Sequence, residues 1–473
     1  MKKTKIIIPF FLLSLLVIPF ILLLIDKKIN NYDIAELNVE FLNINNQVPV
    51  IFIPNKKVPA LLNMIWFKVG GIDEPKGKTG IAHFFEHIIF HNTKNHKKGE
   101  YDEFLESIGG SNNAFTSFDY TSYFATFPKD YYEQVLDFEF DRLNNLQFEA
   151  ELIDNERKII LEERLLRKDN NPAQELMIKT KQALFSKANP YARPLIGYEK
   201  DLNNITISDL IAFQKDQYNS SKMFMVVSGD ITSEELIKIL TKKFNQYFPD
   251  INQEQKIISQ VINTSHKPID KNEKVIIKQT HKTDSYNINW MYRIDNFYDL
   301  TDKNRYALVI LDHILSGLPN SLMQQNFIIE NQIAITASSN YSNLTRVGAN
   351  YFALSFSLNE SSKLPALNNK IKLLLQNLKL GRFDHKLFET AKQNLIAKSI
   401  YEKESFKSLG FNIGFAYASG LKEEDIINWD YNIAKVKYRD VIEVANKIFI
   451  AENLVKAYLI PEDDNEFIKM INE

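Results

Sequence analysis

Ala82-His83-Phe84-Phe85-Glu86-His87-Ile88-Ile89-Phe90 is the stretch on which the reading of this chain turns. It spells His-x-x-Glu-His inside an unbroken apolar run, which predicts a helix. At about 100° per residue, His83, Glu86 and His87 share one side of that helix, and Phe84, Phe85, Ile88 and Ile89 pack around the rest. Two imidazoles one turn apart can share a zinc ion, and the carboxylate between them reaches a water on that ion. The order reverses that of His-Glu-x-x-His. Taken alone, the five residues suit two buried histidines beside a surface glutamate equally well, so the rest of the chain has to decide.

With 473 residues, the chain has room for two to four domains. It is 45% hydrophobic and 25% charged, enough to bury a sizeable core. A formal net charge of −2 gives no electrostatic case for nucleic acid. The absence of cysteine excludes a thiol nucleophile, a thiolate-bound metal and any disulfide.

Residues 1–28 stand apart. Lys2, Lys3 and Lys5 precede an apolar run from Ile6 to Ile25, which Asp26-Lys27-Lys28 closes. A run of that length spans a bilayer as a helix, and no small-residue cleavage site follows it. The expectation is a retained single-pass anchor in the inner (cytoplasmic) membrane. The basic N-terminus would lie in the cytoplasm and the bulk of the chain on the periplasmic or extracellular side.

From about residue 35, strand-like segments at Val48–Ile53 and Ala60–Val69 lead through Gly70-Gly71 into the His83 helix. A helix around Glu100–Ile108 stops at Gly109-Gly110, and the Thr-, Tyr- and Phe-rich stretch from Ser111 to Pro128 predicts two strands. Helices are expected over Lys129–Phe148, Glu151–Arg167, Ser208–Tyr218 and Ser233–Phe244, with a strand at Met223–Val227. The second of these helices would stop at Asp169-Asn170-Asn171-Pro172, and Glu156 and Glu163, seven apart, would share one of its faces. Beyond a polar linker over 249–272, the pattern resumes. Strands are expected at Val275–Lys278 and Ile288–Tyr292, helices at Lys303–Ser316 and Leu322–Asn331, and strands at Ile333–Tyr341 and Asn350–Leu358. Two long helices and a strand at Val455–Ile460 complete it. The order after 274 echoes that of 35–245, so the expected fold is α+β. Two homologous domains, 35–248 and 273–473, would each carry a mostly antiparallel sheet packed with helices.

Over nearly all of 35–465 the chain resembles the pitrilysin/insulinase/mitochondrial-processing-peptidase family of inverted zincins. The resemblance rests on Gly71 through Glu86-His87, Gly109-Gly110 with Asn113-Ala114-Phe115-Thr116, and Glu156-Arg157 ahead of Leu161-Glu162-Glu163. It rests also on Pro190-Tyr191 to Gly197 and on Val226-Val227-Ser228-Gly229-Asp230. It implies a zinc endopeptidase. His83, His87 and Glu163, the last 76 residues beyond His87, would hold Zn²⁺. Glu86 would be the general base and Glu156 a supporting carboxylate, and the Asn113–Thr116 edge would bind an extended peptide as an added strand. His91, eight residues beyond His83 and about 12 Å further along a helix axis, is expected to be structural or on the surface.

One segment departs from the family pattern. The resemblance implies an Arg and a Tyr seven residues apart in the second domain, holding the substrate carbonyl. Phe327-Ile328-Ile329-Glu330-Asn331-Gln332-Ile333-Ala334-Ile335 has Ile328 and Ile335 at those positions. Isoleucine donates no hydrogen bond to an oxyanion. The expectation is therefore a heterodimer, in which a related peptidase-like subunit supplies Arg and Tyr. The competing reading is a non-catalytic scaffold or assembly subunit of the same fold.

Overall fold

The computed structural model describes residues 37–45, 47–169, 171–249, 274–279, 285–294, 303–342, 346, 349–462 and 464–472. The anchor expected over 1–28, and all but Pro249 of the linker expected over 249–272, lie outside these residues. Among the described residues no helix is long and apolar enough to cross a membrane.

Two mixed sheets organise the chain. The first holds β1 (Glu40–Ile44), β2 (Val48–Pro54), β3 (Ala60–Phe67), β4 (Ser111–Thr116), β5 (Thr121–Pro128) and β6 (Met223–Gly229), in the order β1-β2-β6-β3-β5-β4. The second holds β7 (Lys274–Gln279), β8 (Tyr286–Ile294), β9 (Thr336–Ser342), β10 (Asn350–Leu358) and β11 (Leu454–Pro461), in the order β7-β11-β8-β10-β9. In each, one pair is parallel (β2 with β6, β7 with β11) and the other neighbours are antiparallel. Apart from the extra β1, the two orders are the same. The echo heard in the sequence is a repeated topology.

Four helices in each half also follow one another in step. In the first half these are α1 (Ile81–Ile88), α2 (Tyr132–Asn144), α3 (Ala150–Arg164) and α4 (Pro172–Phe185), and in the second α5 (Lys303–Asp312), α6 (Leu364–Lys379), α7 (His385–Glu404) and α8 (Phe406–Ala418); other helices, such as Ser233–Tyr247 and Tyr438–Ile448, pack around them. Alternation along β3 shows how the layers form. Leu61, Ile65 and Phe67 face a core shared with Phe84 and Phe85 of α1 and Leu136 and Phe140 of α2. Leu62, Met64 and Trp66 face the opposite way, onto Ile413 and Ala418 of α8. A strand buried on both faces reads as a continuous apolar run, as Ala60–Phe67 does.

Each sheet is thus closed by a helix from the other half. Leu176, Leu184 and Phe185 of α4 cross to the second sheet, against Met291, Tyr351, Val455, Ala457 and Leu459. The backbone carbonyl of Leu184 accepts a bond from Arg293 Nη1 at 2.8 Å. In the reverse direction α8 lies close on the first sheet through two glycines. A Cβ on Gly410 would stand 2.7 Å from Leu62 Cδ2, and one on Gly414 would stand 2.3 Å from the Trp66 ring. A bidentate ion pair, Arg346 Nη2 to Asp73 Oδ1 and Oδ2 at 2.9 and 2.7 Å, adds a further link between the halves.

Several boundaries differ from expectation. The sequence reading placed no helix at Pro172–Phe185 and took Asn171-Pro172 as a stop. Those two residues instead start α4: the Asn171 side chain accepts from Gln174 N, and Pro172 occupies the first turn, where its missing N–H costs nothing. The helix expected to Arg167 ends at Arg164 and widens into a π-turn over Leu165–Asp169. The helices expected at Lys303–Ser316 and Leu322–Asn331 likewise give way to π-turns, His313–Gly317 and Gln324–Ile329.

Two substitutions test the exchange. Leu184→Ala should cost about 2–5 kcal/mol in chemical denaturation, with both halves losing stability in one transition. Gly414→Ala, which must push Trp66 aside, should cost about 1–3 kcal/mol. Unchanged denaturation midpoints in both variants would refute the packing described.

Candidate metal centre

The first turn of α1 is pinned before its histidines begin. Gly80 caps it with φ of 88°, and a Cβ there would stand 2.5 Å from the carbonyl oxygen of Ile196. Buried Glu74 accepts from the backbone N–H groups of Gly80 (2.9 Å) and Ala82 (3.3 Å), satisfying donors that a helix start leaves open. Burial pushes this carboxyl up to about 8, against the pull of those two bonds.

With α1 fixed, His83 and His87 stand one turn apart, edge to face, with ring centroids 4.7 Å from each other. Helix α3 packs against α1 and brings Glu163 over both rings. Glu163 Oε2 lies 3.8 Å from His83 Nε2 and 3.5 Å from His87 Nε2. Two ligand atoms on one tetrahedral zinc stand roughly 3.3–3.5 Å apart, given bonds of about 2.0–2.1 Å. Among the described residues, these three form the one group of His, Asp or Glu side chains whose ligand atoms all lie within 4.8 Å of one another. The donor set and its spacing fit zinc.

Glu156, one face-repeat earlier on α3, is buried and holds three donors. Its Oε1 takes His87 Nδ1 at 2.9 Å; its Oε2 takes His91 Nε2 at 2.9 Å and Lys98 Nζ at 3.1 Å. Burial alone would raise this carboxyl. The bonds from His87, His91 and Lys98 together outweigh burial and hold it far below the usual carboxylate range. Because Glu156 takes the Nδ1 proton of His87, the Nε2 lone pair of that ring faces Glu163 and His83. Burial makes a charged His87 costly, but the bond to Glu156 and the charges of Glu156, Glu86 and Glu163 prevail, so its pKa is raised and the ring is a strong base. His83 is the opposite case: burial, then the His87 and Arg167 charges, lower it to about 3, so it is neutral at pH 7. Its Nδ1 has no hydrogen-bond partner among the described residues.

Glu86 is not in the cluster. It projects beside it, with Oε2 buried and unpartnered. Burial raises its carboxyl, and a hydrogen bond from the Thr116 hydroxyl offsets part of that rise. A carboxylate lifted in this way is suited to accept a proton near neutral pH and to return it. Thr116 belongs to β4, the outermost strand of the first sheet, which among the described residues has β5 on one side and no strand on the other. His83, Glu86, His87 and Glu163 open with Asn113, Ala114, Phe115 and Thr116 into one cleft of about 1120 Å³. The ring of Phe115 does not serve that cleft alone. It sits against Trp66 and Phe415, at 5.3 and 5.4 Å, in the aromatic layer beneath α8.

The expected site residues therefore come together, and the structure adds three that the sequence reading did not assign to the site. His91 is no ligand, as expected, but it is buried and bonded to Glu156. The helix ends at Ile88, and the following turn carries His91 back to α3. Lys98 reaches the same carboxylate from a loop that no periodicity marks. Arg167 Nη1 bonds Glu163 Oε1 at 2.7 Å, a pairing legible in the i, i+4 spacing. In the second half, Ile328 packs against the core and Ile335 is exposed. The Asn331 amide is spent on the Asn326 carbonyl at 2.8 Å. The segment around Ile328 offers no carbonyl-holding pair.

The comparisons with known proteins agree with this geometry. Residues 50–199 match Insulinase (Peptidase family M16), and residues 204–395 match the Peptidase M16 inactive domain. The zinc protease PqqE of Helicobacter pylori is 26% identical over 89% of this chain and 93% of its own length. A probable mitochondrial-processing peptidase subunit beta of Arabidopsis thaliana is 31% identical, over 39% of this chain and 35% of its own. Among solved structures, a protease from Helicobacter pylori superposes over 90% of this chain and 100% of its own with a TM-score of 0.79 at 24% identity. An M16 inactive-domain protein from Pseudomonas fluorescens gives 0.75 at 15%, covering 90% of this chain and 98% of its own; both likenesses speak to the fold alone. With both family domains in one chain, in order, around a His-His-Glu cluster, this protein belongs to the peptidase M16 (insulinase) family.

Proposed function

We propose that this chain is a zinc-dependent endopeptidase subunit that hydrolyses peptides or unfolded protein segments. The observation that carries the proposal is the convergence of His83, His87 and Glu163 beside Glu86, one of whose oxygens is buried without a partner, in a cleft walled by an open strand edge. A zinc ion held there would acidify water and polarise the scissile carbonyl. An extended peptide pairs with the free edge of β4 through main-chain hydrogen bonds. Glu86 accepts the proton of the attacking water and delivers it to the leaving amine. Glu156 keeps His87 in the tautomer that presents Nε2, and His91 and Lys98 keep Glu156 ionised.

Pairing follows from what the second half lacks. Ile328 and Ile335 supply no oxyanion donor, so a related subunit bearing Arg and Tyr is proposed to complete the cleft. That similar proteins are named as processing-peptidase subunits supports this. The run Ile6–Ile25 supports an inner-membrane anchor with the peptidase part exported. The same two isoleucines favour one other reading, a zinc-free or inactive scaffold subunit.

Metal content and peptide hydrolysis separate these readings. The chain should carry about one zinc, and Glu163→Gln should remove it. Glu86→Gln should keep zinc and lower kcat by about 10²–10⁴-fold. Retention of full hydrolysis by Glu86→Gln would refute the assignment. Glu156→Gln should weaken zinc binding by about 10–100-fold without unfolding the chain. Mixing with an Arg/Tyr-bearing related chain should raise kcat by about 10²–10³-fold. A chain without zinc, alone or mixed, would leave the scaffold reading.

A further inference from the structure

The cleft has a charge balance that hydrolysis does not use. Its lining carries two carboxylates, Glu86 and Glu163, both at the metal end. Against them stand three cations, Arg167, Lys181 and Arg193. Arg167 is paired with Glu163, and Arg193 reaches the backbone oxygen of Ala188 at 3.5 Å. Lys181 differs from both. It rises from α4 into the cleft wall between two aromatic rings, its Nζ 5.3 Å from the centroid of Phe118 and 5.7 Å from that of Tyr351. It makes no ion pair among the described residues, and Met177, one turn back on α4, adds to its apolar surroundings. Burial among these groups holds the ammonium below the usual lysine range. Desolvating an unpaired cation costs stability, and an anion brought into the cleft would recover part of that cost.

We infer that Lys181 is a specificity-determining residue that receives a carboxylate of the bound peptide, so that the cleft selects acidic substrates. The inference rests on the proposed peptide-binding role of the β4 edge and names the chemistry that the α4 wall of the same cleft prefers. The carboxylate can belong to an Asp or Glu side chain or to the peptide's C-terminus. A zinc ion bound in the same cleft, adding two positive charges, would strengthen the preference.

The test is equilibrium binding of three fluorescent peptides of equal length to the zinc-loaded full chain carrying Glu86→Gln. One peptide has a single Glu and an amidated C-terminus, one has Gln and a free C-terminus, and one has Gln and an amidated C-terminus. A carboxylate-bearing peptide should bind about tenfold tighter than the neutral one, a gap that narrows with salt. Whichever of the two is favoured identifies the source of the carboxylate. Adding Lys181→Met should erase the gap, and Lys181→Glu should invert it. Lys181→Met should leave the melting temperature unchanged or raise it, since it removes a partly buried charge that has no ion-pair partner among the described residues. Equal binding of all three peptides, or a preference that survives Lys181→Met, would overturn the inference. If the preference holds but the wild-type chain, alone and mixed with the Arg/Tyr-bearing related chain, cleaves none of the peptides, acidic recognition stands and the catalytic reading falls.

Discussion

The structure depends on an exchange of helices between two sheets. Neither sheet can bury its second face with its own half of the chain, because strands such as β3 are apolar on both sides. Helix α8 closes the first sheet, through glycines whose approach tolerates little added volume, and α4 closes the second through Leu176, Leu184 and Phe185. Hydrophobic burial of this extent is the dominant favourable term in folding, so the two halves are bound to a common stability. The exchange also shapes the site. The same turns of α4 that dock on β8 and β11 present Met177, Ile178 and Lys181 to the cleft.

In and behind the cleft wall, burial and hydrogen bonding drive chemically similar groups apart. Three carboxylates lie within the reach of two imidazoles, yet they stand in three states. Glu156 is saturated with donors and held ionised. Glu163 shares Arg167 and faces both Nε2 atoms. Glu86 is largely buried with one oxygen unpartnered, and its affinity for a proton rises accordingly. The histidines divide in the same way, one lowered by burial and the other raised by its anionic neighbours. Separation of this kind sets a face that could hold a metal beside a carboxyl with a raised affinity for a proton, within one turn of one helix.

The second half repeats the topology without the candidate site. Helix α5 occupies in order the place of α1, but no second cluster of side chains that could hold a metal stands among the described residues. What this half contributes is support: a sheet for α4, the helix that covers the first sheet, and Tyr351 beside Lys181. Duplicated folds commonly keep chemistry on one copy and packing on the other, since a fold constrains function only through its sites.

Much of this was legible in the sequence. Strand alternation and apolar runs located every strand but β1 to within a few residues, and 3.6-residue spacing placed His83, Glu86 and His87 on one face. Family resemblance supplied Glu163 and Glu156, which no local pattern could connect to His87. The misread element was α4, because Asn171-Pro172 suits the end of one helix as well as the start of the next, and only packing against the second sheet decides between them. His91 and Lys98 were beyond reach for a related reason: a turn and a loop bring them to Glu156, and neither carries a periodicity. By itself the sequence determined the donor types, their order along α1 and the repeat of the fold, all of which follow from local spacing. Only the tertiary structure decided which distant carboxylate meets which ring, which ring nitrogen faces the cleft and which lysine stands unpaired there. Those outcomes depend on how helices pack across a shared core, and side chains far apart in sequence meet only once that packing is complete.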